Sequence, residues 1–308
     1  MRFVPVRLGR GARLDDNIRA SALLLLGISI ASGMAVLIRF LGDAYSPIQL
    51  VFVRSGFLLL VLLPVLVRTG LGTLRTNRPV LMLLRGFLGF LGQVLAVLAI
   101  LNLPLAEAQA IGFTKGFIVA MFGMTLLKED VTFLRWGAIG LGFLGVIVVV
   151  NPSNGINWAA LYALGSAACF AVNTIIMKVL VATHTRQSLM TYSALLQFLF
   201  ACIPMAFLWQ QPTGIDWVWF AGMGVIALIV QPINLTAYRL GDVSALAPVD
   251  FCRLLTSAAI GFLVFGEVPE AVFWLGALLI VVANLLPLYQ SRGKKELFAD
   301  PTNPRSVT

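Results

Sequence analysis

The sequence predicts an all-α membrane protein whose ten transmembrane helices form two inverted five-helix repeats. Composition, long apolar runs and an internal repeat carry this prediction. Of the 308 residues, 59% are hydrophobic and only 11% are charged, and a water-soluble domain of this length needs more polar surface. Apolar runs long enough to cross a hydrocarbon core of about 30 Å as helices recur along the chain.

Prolines and short polar segments separate the apolar runs and set the expected boundaries of the spans. The ten predicted spans cover residues 18–41, 47–67, 79–102, 104–127, 132–150, 157–181, 188–209, 216–238, 243–265 and 269–290. The first five form a repeat over residues 18–151, which follows a basic tail at 1–17. The second five form a repeat over residues 156–290, and the polar tail at 291–308 is expected to lack order.

The second half of the chain repeats the first at an ungapped offset of 138 residues. This offset superposes Lys115 on Arg253, Gln93 on Gln231, Phe113 on Phe251, Gly123 on Gly261, Glu129 on Glu267 and Trp136 on Trp274. Because each repeat has an odd number of spans, the second repeat must cross the membrane with the opposite orientation. Secondary transporters use inverted repeats of this kind and place their site near the midplane, between the halves.

Loop charges predict that both termini lie in the cytoplasm of a bacterium, with the chain in its inner membrane. The loops assigned to the outside, 42–46, 103, 151–156, 210–215 and 266–268, contain no Lys or Arg, as the positive-inside rule requires. The net charge of +9 therefore follows from membrane topology. We expect a lipid bilayer as the surroundings and no nucleic acid as a partner.

The segment 103–152 reads LPLAEAQAIGFTKGFIVAMFGMTLLKEDVTFLRWGAIGLGFLGVIVVVNP, and a weaker echo of it occupies 243–284. Both segments resemble the EamA branch of the drug/metabolite transporter superfamily, and the resemblance extends over about residues 20 to 290. It implies a central cavity lined mainly by spans 1, 3, 4, 6, 8 and 9. Such relatives move amino acids, nucleotide-like metabolites, vitamins, metallophores and drugs. Most of them export, so the resemblance favours export.

Two cations at equivalent places are the first candidates for substrate binding. Lys115 lies near the middle of the fourth span, and Arg253 is its counterpart in the ninth. A cation at the centre of a span costs about 2.5–3.5 kcal/mol, so it normally faces protein or water. One interpretation is that both cations contact an anionic substrate. The alternative is an internal ion pair that locks two helices together.

Four further polar residues complete the candidate set. Gln93 and Gln231 can bind either substrate or a neighbouring helix, and Arg85 shares the third span with Gln93. Asp250 lies three residues before Arg253, which predicts either a local salt bridge or a carboxylate that couples transport to protons. Arg54 and Arg85 lie close enough to span ends to extend toward the interface.

Three residues near span ends are weaker candidates. Arg39 and Glu107 are either gate contacts or interfacial residues, and Glu267 is a helix end that stabilises the fold.

These residues predict a secondary transporter that works by alternating access. Its expected substrate is a small anionic or zwitterionic metabolite with carboxylate groups, such as an amino acid derivative, an organic acid or a metallophore. Uptake of a vitamin or nucleoside-like metabolite, and proton-coupled export of a lipophilic drug, remain alternatives.

An enzyme is not expected, because Asp250 is the one acid deep in a span and the one histidine, His184, falls in a loop. The sequence has no GxxxxGK[ST] motif for ATP, and Cys169, Cys202 and Cys252 have no metal-binding spacing. We therefore expect no cofactor and no metal.

Overall fold

The computed structural model describes residues 14–69, 76–127, 133–151, 157–181, 183–241, 246 and 249–299. Within these ranges the regular elements are α-helices. They are α1 (Leu14–Gly42), α2 (Pro47–Thr69), α3 (Pro79–Asn102), α4 (Leu105–Gly112), α5 (Thr114–Leu127), α6 (Phe133–Val150), α7 (Trp158–Val181), α8 (Arg186–Leu208), α9 (Asp216–Leu240), α10 (Cys252–Phe265) and α11 (Ala271–Ala299).

Six helical segments of the described chain are long and apolar enough to cross a membrane. They are Asp16–Gly42, Pro79–Asn102, Leu105–Phe122, Trp158–Val181, Ser188–Leu208 and Asp216–Tyr238. Four shorter apolar helical segments accompany them: Pro47–Leu60, Trp136–Val150, Cys252–Phe265 and Ala271–Leu286. The helical class and a multi-pass membrane protein are confirmed, while the count of ten spans and their inverted orientation stay predictions.

The outer surface of the bundle is apolar, as lipid contact requires. Large side chains are strongly exposed on several helices, with Phe207 at 87% and Leu263 at 78% of their full accessible area. In water such a surface would drive aggregation, whereas in a bilayer it faces hydrocarbon.

The fourth predicted span is helical over Leu105–Phe122 but is interrupted for one residue at Phe113, which keeps helical backbone angles (φ −65°, ψ −16°). The N–H of Phe113 donates to the carbonyl of Ala110 at 3.2 Å, and the N–H of Gly116 donates to the carbonyl of Phe113 at 3.0 Å. Both bonds span three residues instead of four, which tightens the turn and separates α4 from α5.

The second repeat has a matching break at the same repeat position. Val249 and Asp250 are helical, Phe251 forms a turn, and α10 begins at Cys252. The N–H of Leu254 donates to the carbonyl of Phe251 at 3.0 Å, again across three residues. The offset of 138 residues therefore relates the two breaks, Phe113 and Phe251, to each other.

The expected disorder of the C-terminal tail is wrong for its first part. Helix α11 continues to Ala299, well past the predicted span end at residue 290. Glu129 and the N-terminal residues 1–13 lie outside the described residues, and so does the side chain of Gln231.

The helices of one repeat pack mainly against those of the other. The most extensive contacts join α6 to α11, α1 to α9, α3 to α7, and α2 to α8. Small residues bring α6 and α11 close together, since a Cβ on Gly145 would lie 2.8 Å from the carbonyl oxygen of Gly276. Close backbone approach at glycine is typical of helix packing in lipid. The two repeats thus form one interlocked bundle.

Candidate functional site

A cavity of about 890 Å³ lies between the two repeats. Its volume is within the range of about 300–1,000 Å³ usual for small-molecule sites. Both repeats contribute to its wall, through helices α3, α4, α5, α7, α9, α10 and α11. The polar and aromatic residues that line it are Gln93, Gln109, Phe113, Lys115, Ser166, Phe170, Tyr238, Asp250, Phe251, Arg253 and Asn284.

The two helix breaks position both predicted cations in this cavity. Lys115 is the second residue of α5 and Arg253 is the second residue of α10, so each belongs to the first turn of a helix. The rings of Phe113 and Phe251 touch, with centroids 4.9 Å apart. The two breaks therefore bring two aromatic rings and two cations to one central place.

Lys115 faces an aromatic ring and has no described carboxylate within ion-pair distance. Its Nζ atom lies 6.0 Å from the centroid of the Phe170 ring, which is near the outer limit for attraction between a cation and a ring. The ion pairs found among the described residues are Arg39–Glu267 and Arg253–Asp250. The ion-pair alternative for Lys115 thus finds no support in the described residues.

Arg253 does form the local salt bridge that the sequence raised as an alternative. Its Nη2 atom lies 3.3 Å from Oδ1 of Asp250, and about a third of each side chain is exposed. The Nε atom of Arg253 is buried and has no hydrogen-bond partner within the described part of the chain. The salt bridge to Asp250 therefore leaves the Nε–H donor of Arg253 without a described acceptor.

Gln93 lines the cavity and is bound from behind by Arg54. The Nη1 atom of Arg54, in α2, donates to Oε1 of Gln93, in α3. From the sequence we expected the Arg54 side chain to extend toward the membrane–water interface. Nothing in the sequence indicated its contact with Gln93.

Arg85 lies outside the cavity lining, although the sequence grouped it with the substrate-binding residues. Its Nη1 atom donates to the carbonyl of Leu189 at 2.8 Å, and its own carbonyl accepts from Asn173 at 3.0 Å. Arg85 sits two turns before Gln93 on α3, so its side chain reaches the start of α8. These contacts are those of a residue that joins the repeats.

A second polar cluster, which we term the outer clamp, ties the repeats together at the end predicted to face outside. It consists of Arg39, Glu267 and the backbone groups that they bind. Arg39 donates to Glu267 and to the carbonyl of Leu103, and its Nε donates to the carbonyl of Ile100 at 2.9 Å. Glu267 also accepts the N–H of Leu105 at 2.9 Å. The guanidinium carbon of Arg39 lies 4.8 Å from the ring centroid of Phe265.

The outer clamp adjoins the cavity, since Ile100 both lines the cavity and accepts from Arg39. The side chain of Arg39 is only 16% exposed and binds across the bundle, which favours the gate contact among the two alternatives that the sequence left open. Glu267 lies just after the end of α10 and contacts Arg39 of α1 and Leu105 of α4, so its role in stabilising the fold stays a prediction.

Comparison with known proteins agrees with this architecture. The EamA-like transporter family matches residues 18–151 and again residues 157–289. The chain belongs to the EamA-like transporter family. The predicted resemblance is thereby confirmed, and each match covers one repeat of this transporter.

Named relatives of this EamA-like transporter carry different small molecules. It is 28% identical over 269 residues to an S-adenosylmethionine uptake transporter of Rickettsia bellii, covering 87% of this chain and 92% of that protein. It is 31% identical over 244 residues to a riboflavin transporter of Rhizobium johnstonii, covering 79% and 81%. A third relative is the pseudopaline exporter CntI of Pseudomonas aeruginosa, 26% identical over 275 residues and covering 87% and 95%.

A solved crystal structure shares the fold of this EamA-like transporter. The TM-score is 0.61 at 15% sequence identity, and the match covers 92% of this chain and all of the other. The family and its relatives are transporters, so the expectation of a transporter of small metabolites, and not an enzyme, agrees with them.

Sequence reasoning missed several residues that line the cavity of this EamA-like transporter. Phe170, Tyr238, Ser166 and Asn284 all contribute to the wall. Aromatic and small polar residues within apolar runs look like packing residues, so composition gave no signal for them. The offset of 138 residues did identify Phe113 and Phe251 as equivalent, without indicating that their rings touch.

Proposed function

We propose that this EamA-like transporter is a secondary transporter of a small polar metabolite with carboxylate or other anionic groups. It works by alternating access in a bacterial inner membrane, and export is the favoured direction. The observation that carries the proposal is the convergence of Lys115 and Arg253, each at the first turn of a broken helix, in one cavity. Secondary transporters with inverted repeats place their substrate site near the midplane, between the halves.

Electrostatics support an anionic or zwitterionic substrate. Only Arg253 has a carboxylate partner, Asp250, while Lys115 has none among the described residues. A cation in a low-dielectric cavity attracts an anion more strongly than it does in water. Asp250 faces the cavity and pairs with the substrate-binding cation, which makes it the candidate for proton coupling.

The inverted repeats support alternating access. Each half contributes one broken helix to the same cavity, so exchanging the conformations of the halves reverses the side to which the cavity opens. Export rests on family resemblance. The names of the relatives include both uptake and export, so direction must be measured.

A second candidate function is uptake of a vitamin or nucleoside-like metabolite. The rings of Phe113, Phe170, Tyr238 and Phe251 line the cavity around the two cations and offer faces on which a planar ring can stack. Relatives named for S-adenosylmethionine uptake and for riboflavin favour the same kind of substrate.

A thermal-shift screen of the purified protein tests both candidates. The probes are succinate, glutamate, riboflavin, S-adenosylmethionine and tetraphenylphosphonium. A ligand that binds the folded state raises the unfolding midpoint according to its occupancy. We expect acidic probes to stabilise the wild type and to lose this effect in Lys115→Ala and Arg253→Ala.

Lys178→Ala is the matched control, because Lys178 is exposed in the last turn of α7 and does not line the cavity. Flux in proteoliposomes then gives direction, and saturation of that flux separates a carrier from a channel. Unchanged binding and flux in both cavity variants would refute the anion site. Stabilisation by tetraphenylphosphonium alone would favour export of lipophilic cations, with Asp250 as the key residue.

A further inference from the structure

The contact between Arg54 and Gln93 fixes which end of the Gln93 amide faces the cavity. A guanidinium group has five N–H donors and no acceptor. Because Arg54 Nη1 is hydrogen-bonded to Gln93, the glutamine must present its carbonyl oxygen to Arg54. The two N–H donors of the amide are then left for the cavity that Gln93 lines.

Arg54 has strong physical reasons to hold this oxygen. Its side chain reaches from α2 to α3, and no described carboxylate lies within ion-pair distance of it. Arg54 is half-buried, and a cation partly removed from water is stabilised by a hydrogen-bond acceptor. Turning the amide around would place N–H groups against N–H groups and remove this acceptor. The orientation of Gln93 is therefore imposed by Arg54.

The neighbouring polar side chains divide into groups that donate to the cavity and groups that accept from it. Lys115 and Arg253 supply only N–H donors. The hydroxyl of Ser166 donates to the carbonyl of Gly92 at 2.9 Å. Asn284 uses its amide N–H on the carbonyl of Ile280 at 2.8 Å, so, like Ser166, it has its oxygen available to accept a hydrogen bond.

We propose that Arg54 is a positioning residue that holds Gln93 as a hydrogen-bond donor, so that the cavity selects substrates by their acceptor groups. The inference rests on the proposed function, since it assumes that substrate occupies this cavity. A carboxylate or ring carbonyl binds at Gln93 and Lys115, and a donor group of the same molecule faces Asn284 or Asp250. Cations and groups that can only donate are excluded from the Gln93 wall.

Gln93→Glu is the decisive variant, because it inverts the chemistry without emptying the site. The new carboxylate keeps the length of the side chain and forms an ion pair with Arg54, which preserves the fold. It also replaces the two N–H donors that face the cavity by one acceptor oxygen and a negative charge. We expect the affinity for succinate to fall at least tenfold, while the affinity for tetraphenylphosphonium does not fall.

A double-variant cycle separates positioning from a structural or purely electrostatic role of Arg54. If Arg54 acts through Gln93, Arg54→Met weakens succinate binding several-fold in the wild type but less than twofold in a Gln93→Met background. An equal loss in both backgrounds would overturn the positioning role. If Arg54→Met does not fold, Gln93→Met, which adds no charge, tests the donor role of Gln93. It should weaken succinate binding several-fold, and an unchanged affinity would overturn the inference. The unfolding midpoint and size-exclusion profile are the folding controls.

The outcomes also distinguish this inference from the proposed function. If Lys115→Ala weakens succinate binding and Gln93→Glu leaves it within twofold of the wild type, the acceptor inference fails and the anion site stands. If neither substitution changes succinate binding, both fail. A wild type that binds none of succinate, glutamate and riboflavin overturns both as well.

Discussion

Replacing Glu267 by alanine should destabilise the folded transporter by about 3 kcal/mol or more, because it breaks the outer clamp. The carboxylate binds the guanidinium of Arg39 and accepts the N–H of Leu105. Both charged side chains are shielded, at 16% and 17% exposed. Breaking a buried ion pair by removing one partner costs about 3–5 kcal/mol. Arg39 keeps its two carbonyl acceptors in the variant, which places the expected loss near the lower end of that range.

Removing Arg39 should be more damaging than removing Glu267. Arg39→Ala leaves the carboxylate with the N–H of Leu105 as its described donor and also frees the carbonyls of Ile100 and Leu103. The expected loss is about 4–5 kcal/mol, toward the upper end of the range for a buried pair. Replacing both residues by Met should cost less than the sum of the two single losses, because neither charge is then left unpaired.

Denaturant unfolding in detergent measures these free energies, and Glu270→Ala is the control. Glu270 is exposed and three residues from Glu267, so it provides the same change of charge outside the clamp. Its substitution should change stability by less than about 0.5 kcal/mol. If Glu267→Ala proves as mild as Glu270→Ala, the clamp does not stabilise the bundle and our reasoning about it is wrong.

Two further predictions concern the packing and the coupling of the two repeats. Gly145→Ala should destabilise the fold by about 1–3 kcal/mol, because its Cβ would lie 2.8 Å from the carbonyl oxygen of Gly276. Gly137→Ala, where a Cβ would meet no atom within 4 Å, is the control in the same unfolding assay, and equal losses would contradict the packing. Asp250→Asn should remove the response of flux to an imposed pH gradient but preserve substrate exchange, since Arg253 remains in the cavity. Proteoliposome flux with and without the gradient measures this, and an unchanged response would rule out Asp250 as the coupling residue.

The internal repeat made the centre of the site predictable from sequence. A duplicated chain preserves equivalent positions, so the offset that superposed Lys115 on Arg253 also pointed to one shared cavity. The structure places both residues in its wall, next to the touching rings of Phe113 and Phe251. Whether Lys115 and Arg253 bind the substrate is a question for the binding and flux experiments.

The helix breaks and the polar pairs could not be predicted in the same way. Nothing in the local sequence around Phe113 distinguishes a broken span from a continuous one, because tertiary packing decides it. Arg39 and Glu267 are 228 residues apart in sequence, and each alone looks like a charged residue near the end of a span. Arg54 likewise looked like a side chain that extends toward the interface, until its contact with Gln93 was known.

The interlocking of the two repeats has a consequence for how the protein is made. Helices α1, α2, α3 and α6 find their main partners in the second repeat, which the ribosome has not yet synthesised when they enter the membrane. At the usual rates of translation this interval is on the order of 10 s. During it Arg39 and Arg85 lack Glu267 and the carbonyl of Leu189, their partners across the repeats. The first half must therefore remain in the bilayer without most of its final helix contacts until the second half arrives to complete it.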